Sequence, residues 1–221
     1  MASRLAESGA EILMIGRRKA PLVELAGALR AQAIAGDVTD SEFVANLPRH
    51  IEARWGTAPD ILINNAGAFT LASFGETDSE TFERLLAVNL RAPFELIRLW
   101  LPAMLARDSG HIVNIGSVAG RRAFPGNAAY CASKYGLRGL HEVLVEELRA
   151  SGVRVTWIEP SAIDTPLWDE FDPDRRADVP SRGEMLEPGA VAEAVLFALV
   201  QPRGVSVEEV SLRANLVGRR S

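Results

Sequence analysis

Short apolar runs alternate with longer stretches of helical period along the chain, and this alternation is the strongest constraint on what it can fold into. Residues 11–15 read as a buried strand, and 19–31 as a helix with Leu22, Leu25, Ala26 and Leu29 on one face. A short strand at 32–35 precedes a helix over 40–55, with Asp40 placed to cap it. A strand at 60–64 follows, then a long helical stretch over 79–106 interrupted by Pro93 and Pro102. Next come a strand at 111–115, a helix over 129–150 stopped by Gly152, and a strand at 153–158. A helix over 188–200 and a strand at 205–210 complete the pattern. Strands apolar on both faces and separated by helices predict an α/β fold: a doubly wound parallel sheet in a three-layer α/β/α arrangement.

The 221 residues, 48% of them hydrophobic, suit a single domain over 1–221 with a sizeable core. The one long irregular segment, 161–187, is rich in Pro, Asp and Arg and reads as a substrate loop or lid. Its acids Asp169, Glu170, Asp172, Asp174 and Asp178 are interspersed with Arg175 and Arg176 and joined by no histidine, so they read as solvated surface and no metal site is expected. A net charge of −5 gives no overall attraction for nucleic acid, and the four tryptophans are not interleaved with basic residues. The most apolar stretch, 190–200, contains Glu193 and falls well short of the ~20 residues a membrane span needs. The single cysteine, Cys131, fits a reducing compartment, and a cytoplasmic location is expected. Cys131 itself reads as a small packing residue rather than a reactive thiol.

Three residues carry a chemistry. Ser117 follows the strand at 111–115 and so lies at its carboxyl end, where ligands of open α/β sheets bind. Tyr130 and Lys134 stand four apart on one helix face. An ammonium beside the phenol is expected to lower its pKa from about 10, fitting it to exchange a proton with an alcohol or carbonyl oxygen. The hydroxyl of Ser117 would hold that oxygen as charge develops.

Gly116–Ser117, Tyr130–Cys131–Ala132–Ser133–Lys134, Asn64–Asn65–Ala66–Gly67 and Asn89–Leu90, in this order and spacing, resemble the short-chain dehydrogenase/reductase family over nearly the whole chain. The resemblance is nearest to its small NADP-dependent members. It implies an oxidoreductase that moves a hydride between a nicotinamide and a small alcohol or carbonyl substrate. Tyr130 would be the general acid/base, Lys134 would lower its pKa and bind the nicotinamide ribose, and Ser117 would orient the substrate oxygen. Asn89 would hold a water in a proton relay to Lys134, with Pro93, four residues on, leaving room for it. Asn64, Ala66 and Gly67 would place backbone against the cofactor, and Asp37 and Val38 match the adenine contact. Pro160, Ile163 and Thr165 would meet the nicotinamide end, although Ser161 stands where the family has glycine. Arg17 and Arg18 stand where NAD-binding members carry an acid, and guanidinium pairs well with phosphate, so NADP(H) is favoured over NAD(H). Assembly as a homodimer or homotetramer through the helices at 79–106 and 129–150 is also implied.

Against the family pattern, no first strand and no glycine-rich phosphate loop stand near the N-terminus, and residues 1–8 read as the second half of the first helix. An incomplete version of a longer protein, another segment filling the gap, or a domain no longer using a dinucleotide would each account for this. The intact downstream residues favour the first. The rival function is a non-catalytic domain of the same fold, serving as a subunit or binding module. A serine hydrolase is disfavoured because 116–120 is not Gly-x-Ser-x-Gly, and scattered His50, His111 and His141 offer no catalytic zinc site.

Overall fold

The computed structural model describes residues 1–215. Among them, strands and helices alternate as α1 (Ala2–Glu7), β1 (Leu13–Gly16), α2 (Lys19–Leu29), β2 (Gln32–Ala35), α3 (Ser41–Trp55) and β3 (Ile61–Asn64). The chain continues as α4 (Ser79–Leu86), α5 (Ala92–Ala106), β4 (Gly110–Ile115), α6 (Ala128–Leu148), β5 (Val153–Pro160), α7 (Pro188–Leu199) and β6 (Glu209–Leu212). Asp40 caps α3 by accepting from the amides of Glu42 and Phe43 at 2.9 and 3.3 Å. Every strand pairing is parallel, as the α/β pattern requires. The last six residues of the expected 1–221 domain lie outside the described residues.

The strands form two hydrogen-bonded groups, β1–β2 and β3–β4–β5–β6, and among the described residues no strand joins one group to the other. Apolar packing makes the connection instead. Leu13 and Ile15 of β1, Ile34 of β2 and Leu62 of β3 meet one cluster built from Ile112, Val155 and the buried faces of α3, α5 and α6. On the opposite face of the sheet, Val113, Ile115 and Ile158 pack against Val191, Ala194 and Val195 of α7. Alternate residues of β4 therefore feed two different cores, and this is why the strand is apolar on both faces.

Two expected boundaries move. The last strand is Glu209–Leu212, not 205–210, because β5 fixes its register from Trp157↔Glu209 to Pro160↔Leu212. The carbonyls of Val205 and Val207 accept instead from the side chains of Arg154 and Thr156, at 3.3 and 2.7 Å. The helical stretch at 79–106 breaks at a wide turn over Ala87–Arg91 just before Pro93, whereas Pro102 lies within α5 and does not interrupt it. The segment 161–187 contains three short 3-10 turns, Pro166–Phe171, Pro173–Arg175 and Arg182–Glu184. Arg182 pins it by pairing with Asp164 and with Asp169, the latter at 2.6 Å.

Candidate active site

β4 ends at Ile115, and Gly116 and Ser117 carry the chain off the sheet. Gly116 is required by close packing: a Cβ there would stand 2.0 Å from the indole of Trp157. Ser117 then opens a 3-10 turn over Val118–Gly120, its hydroxyl accepting from the amide of Ala119 at 3.1 Å. α6 runs alongside, and its first turns present Tyr130 and Lys134 to the same space. A cavity of about 1370 Å³ is lined by Ser117, Tyr130 and Lys134 together with Ala66 and Gly67 after β3 and Pro160, Ile163 and Thr165 after β5. That volume exceeds the ~300–1,000 Å³ of a typical small-ligand pocket.

The electrostatics differ from the sequence expectation. Burial pushes the Tyr130 phenol above its ordinary pKa, and interaction with the Ser117 hydroxyl, which favours the phenolate, only partly offsets this. The expected lowering by Lys134 is not what governs the phenol. The Lys134 ammonium lies 5.8 Å from the ring centroid and donates to the carbonyl of Ile115 at 3.0 Å. Burial pulls Lys134 itself down to about 8. At neutral pH the site therefore holds a protonated phenol beside a largely charged, readily titrated amine.

Asn89 is fully buried in the wide turn between α4 and α5. Its side chain accepts from the amide of Ala68 at 2.8 Å, and donates to the Ala68 carbonyl at 2.8 Å and the Ser133 hydroxyl at 3.0 Å. It does not line the cavity; it ties the loop after β3 to α6. Pro93 has no N–H, so the Asn89 carbonyl lacks the donor that a regular helix would supply four residues on. Asn64 is likewise buried, donating to Asn114 Oδ1 at 2.8 Å, while Asn114 Nδ2 lies 3.3 Å from His141 Nδ1. The Oδ1 atom of Asn64 is left buried without a hydrogen-bond partner.

Arg17, Arg18, Asp37 and Val38 do not line the cavity. They sit at the ends of β1 and β2, where Arg17 and Asp37 approach to 4.0 Å, so residues twenty apart in sequence come together: exposed Arg17 and Arg18 beside half-buried Asp37 and Val38. Cys131 is buried, as its packing role predicts. Among the described residues no group of three or more His, Cys, Asp or Glu is placed to hold a metal ion, and no helix is long and apolar enough to cross a membrane.

Sequence reasoning missed two sets of residues around this site. Phe69 meets Tyr130 edge-on at 5.0 Å, and Trp168 from the 161–187 segment lies 4.8 Å from Phe69. Glu159, 1% exposed, accepts from Arg121 at 3.1 Å, Arg138 at 3.2 Å and Arg213 at 2.7 Å. The aromatic contacts span distant segments and leave no local pattern. A lone acid at the end of an apolar strand was a legible signal, because such a charge is buried only when paired.

The fold is a Rossmann-like α/β one, with a cavity at the carboxyl ends of its strands. The short chain dehydrogenase family profile matches residues 1–176, and the chain belongs to that family. An uncharacterized oxidoreductase of Staphylococcus saprophyticus is 35% identical over 219 residues, covering 96% of this chain and 90% of the relative. Serine dehydrogenase from Escherichia coli superposes with a TM-score of 0.82 at 28% identity, covering 96% of this chain and 90% of that one. A metagenomic short-chain oxidoreductase in complex with NADP superposes with a TM-score of 0.82 at 31% identity, covering 97% and 90%. The protein is thus an oxidoreductase of a nicotinamide-dependent family.

Proposed function

We propose that this chain interconverts a small alcohol and its carbonyl compound with NADP(H), Tyr130 acting as general acid/base. The observation that carries this reading is the convergence of Ser117, Tyr130 and Lys134 on one cavity beside Ala66, Gly67, Pro160, Ile163 and Thr165. The nicotinamide, when bound, supplies or accepts a hydride at the substrate carbon. The Ser117 hydroxyl holds the substrate oxygen, and the protonated phenol of Tyr130 gives it a proton as the carbonyl is reduced. Lys134 stabilises the phenolate that results and passes a proton back towards it, and the carbonyl of Asn89 anchors the relay water. In oxidation the same groups run in reverse.

Residues able to hold the cofactor are present at both ends. Ala66, Gly67, Pro160, Ile163 and Thr165 bound the nicotinamide side, and Lys134 reaches the ribose. Arg17 and Arg18 take the 2′-phosphate, with Asp37, Val38 and the strand end at Asn64 nearer the adenosine half. The metagenomic neighbour bound to NADP supports the same assignment. Exposed Phe94 and Leu105 on α5 and Tyr135 and Val143 on α6 support homo-oligomerisation through those helices, and the lone cysteine supports a reducing, cytoplasmic setting.

Titration of the chain with NADPH and NADH, read by nicotinamide fluorescence, tests the cofactor reading. NADPH binds at least about tenfold more tightly, and Arg17→Glu removes the difference. Absence of binding at millimolar NADPH favours the non-catalytic rival. Tyr130→Phe lowers turnover at least about a hundredfold if the phenol is the acid/base.

A further inference from the structure

We propose that the preferred substrates carry an aromatic ring directly attached to the reacting carbonyl or carbinol carbon, held against a wall made by Phe69 and Trp168. This rests on the reading of Tyr130 as acid/base and adds a substrate class to it. Both side chains line the cavity that Tyr130 enters. Phe69 stands edge-on to the Tyr130 ring, at 84° between planes. Trp168 is tilted at 50° to Phe69, and Phe171 backs Phe69 from behind at 5.5 Å and 78°. The acid/base group therefore projects from a continuous aromatic surface, which favours a planar ring in offset or edge-on contact.

The wall is preset. Trp168 belongs to the segment that Arg182 ties to Asp164 and Asp169, and the Arg182 amide donates to Asp174 at 2.8 Å. Backbone bonds between this segment's two ends, Leu186 to Ala162 at 2.8 Å and Asp164 to Leu186 at 2.9 Å, close it into a loop. A surface fixed in this way binds a rigid ring without first having to be ordered.

The charges around the cavity point the same way. Arg121 and Arg213, both lining it, are engaged by Glu159, and Arg176 by Asp178 at 2.7 Å. Lys134 is buried and bonded to Ile115, and exposed Arg122 is stacked 5.3 Å over Phe124. A carboxylate near the reacting carbon, as in a 3-hydroxy acid or serine, would find these cations, Arg122 apart, already paired or bonded. A neutral aryl ketone needs none.

The test compares kcat/KM of the whole chain with NADPH for acetophenone, cyclohexyl methyl ketone and acetone, and with NADP+ for 1-phenylethanol, serine and 3-hydroxypropionate. Acetophenone is expected to exceed its saturated, size-matched analogue about tenfold and acetone by about a hundredfold, the second ratio reflecting burial of the ring. Phe69→Leu, which keeps the apolar volume, brings the acetophenone-to-cyclohexyl ratio close to one, mainly through KM. Preference for serine or 3-hydroxypropionate, or an unchanged ratio in Phe69→Leu, overturns the substrate class while Tyr130-dependent turnover keeps the enzyme reading. No turnover of any of these compounds, or full turnover in Tyr130→Phe, overturns both.

Discussion

A Cβ added to Gly120 would stand 2.9 Å from the carbonyl oxygen of Lys134, so the turn that carries Ser117 and the helix that carries Tyr130 and Lys134 meet backbone to backbone. That contact fixes the spacing of the three groups proposed to share the substrate oxygen. Gly120→Ala must push the turn away from α6. The expected outcome is a fall in kcat of roughly tenfold to a hundredfold, since sub-ångström positioning carries much of the rate. Circular dichroism should still report a folded chain, and an unchanged kcat would show that the contact does not set the geometry.

The direction of the Tyr130 shift predicts opposite pH profiles for the two reaction directions. Burial raises the phenol, so it stays protonated through neutral pH and can donate during carbonyl reduction. Alcohol oxidation needs the phenolate and should quicken as pH rises. Reduction should hold steady at neutral pH and decline at alkaline pH, with a further influence near 8, where Lys134 loses its proton. Initial rates in both directions from pH 6 to 10.5 check this; parallel profiles would contradict it.

Acid should destabilise the fold through two buried histidines. His111 and His141 are both held down to about 4 by burial. The His111 Nε2 atom lies 2.8 Å from Thr156 Oγ1, whose proton goes to the Val207 carbonyl, so Nε2 carries a proton and donates there, while a proton added at Nδ1 would be buried without a partner. Between about pH 6.5 and 4 the unfolded chain binds protons that the folded chain refuses, so stability falls as pH falls through that window. The full effect is on the order of 3 kcal/mol per histidine. Thermal melts at pH 7, 5.5 and 4.5 should show it, and His141→Asn should flatten the slope.

Glu159 should be a major determinant of stability. Burial opposes its ionisation, but the hydrogen bond from Arg213 and the charge of Arg121 hold its carboxyl below the usual range. Glu159→Gln leaves three guanidinium groups around a neutral amide, but Arg121 and Arg213 are half-exposed and Arg121 and Arg138 keep Glu209, so the cost is about 1–3 kcal/mol. A clearly lowered Tm, most of it restored in Glu159→Gln/Arg138→Met, is the expected result. A Tm within about 1 °C of the parent would mean the charges are solvated rather than buried.

The element order and the placement of Ser117, Tyr130 and Lys134 were legible because they depend on local patterns: apolar runs, turn residues and the spacing of one helical turn. Asp40 was legible as a cap for the same reason. Pro102 was misread as a break because a proline's cost to a helix is local, whereas the packing of Trp100 and Met104 that carries α5 through it is not. The last strand was displaced because its own residues are ambiguous and β5 sets the register. The phenol's environment was misjudged because the four-residue spacing reveals a neighbouring ammonium but not the desolvation around both.

The sequence by itself determined the class of fold and pointed to the residues proposed for proton transfer, since period, capping and helical spacing are properties of neighbouring residues. Only the tertiary structure decided that hydrogen bonding divides the strands into two groups, that Asn89 binds the Ala68 backbone, and that Phe69 and Trp168 flank Tyr130. It also decided that Glu159 gathers arginines from three separate segments. The physical reason is common to all of these. They are contacts between residues far apart along the chain, whose energies depend on burial and on partners that no local stretch of sequence contains.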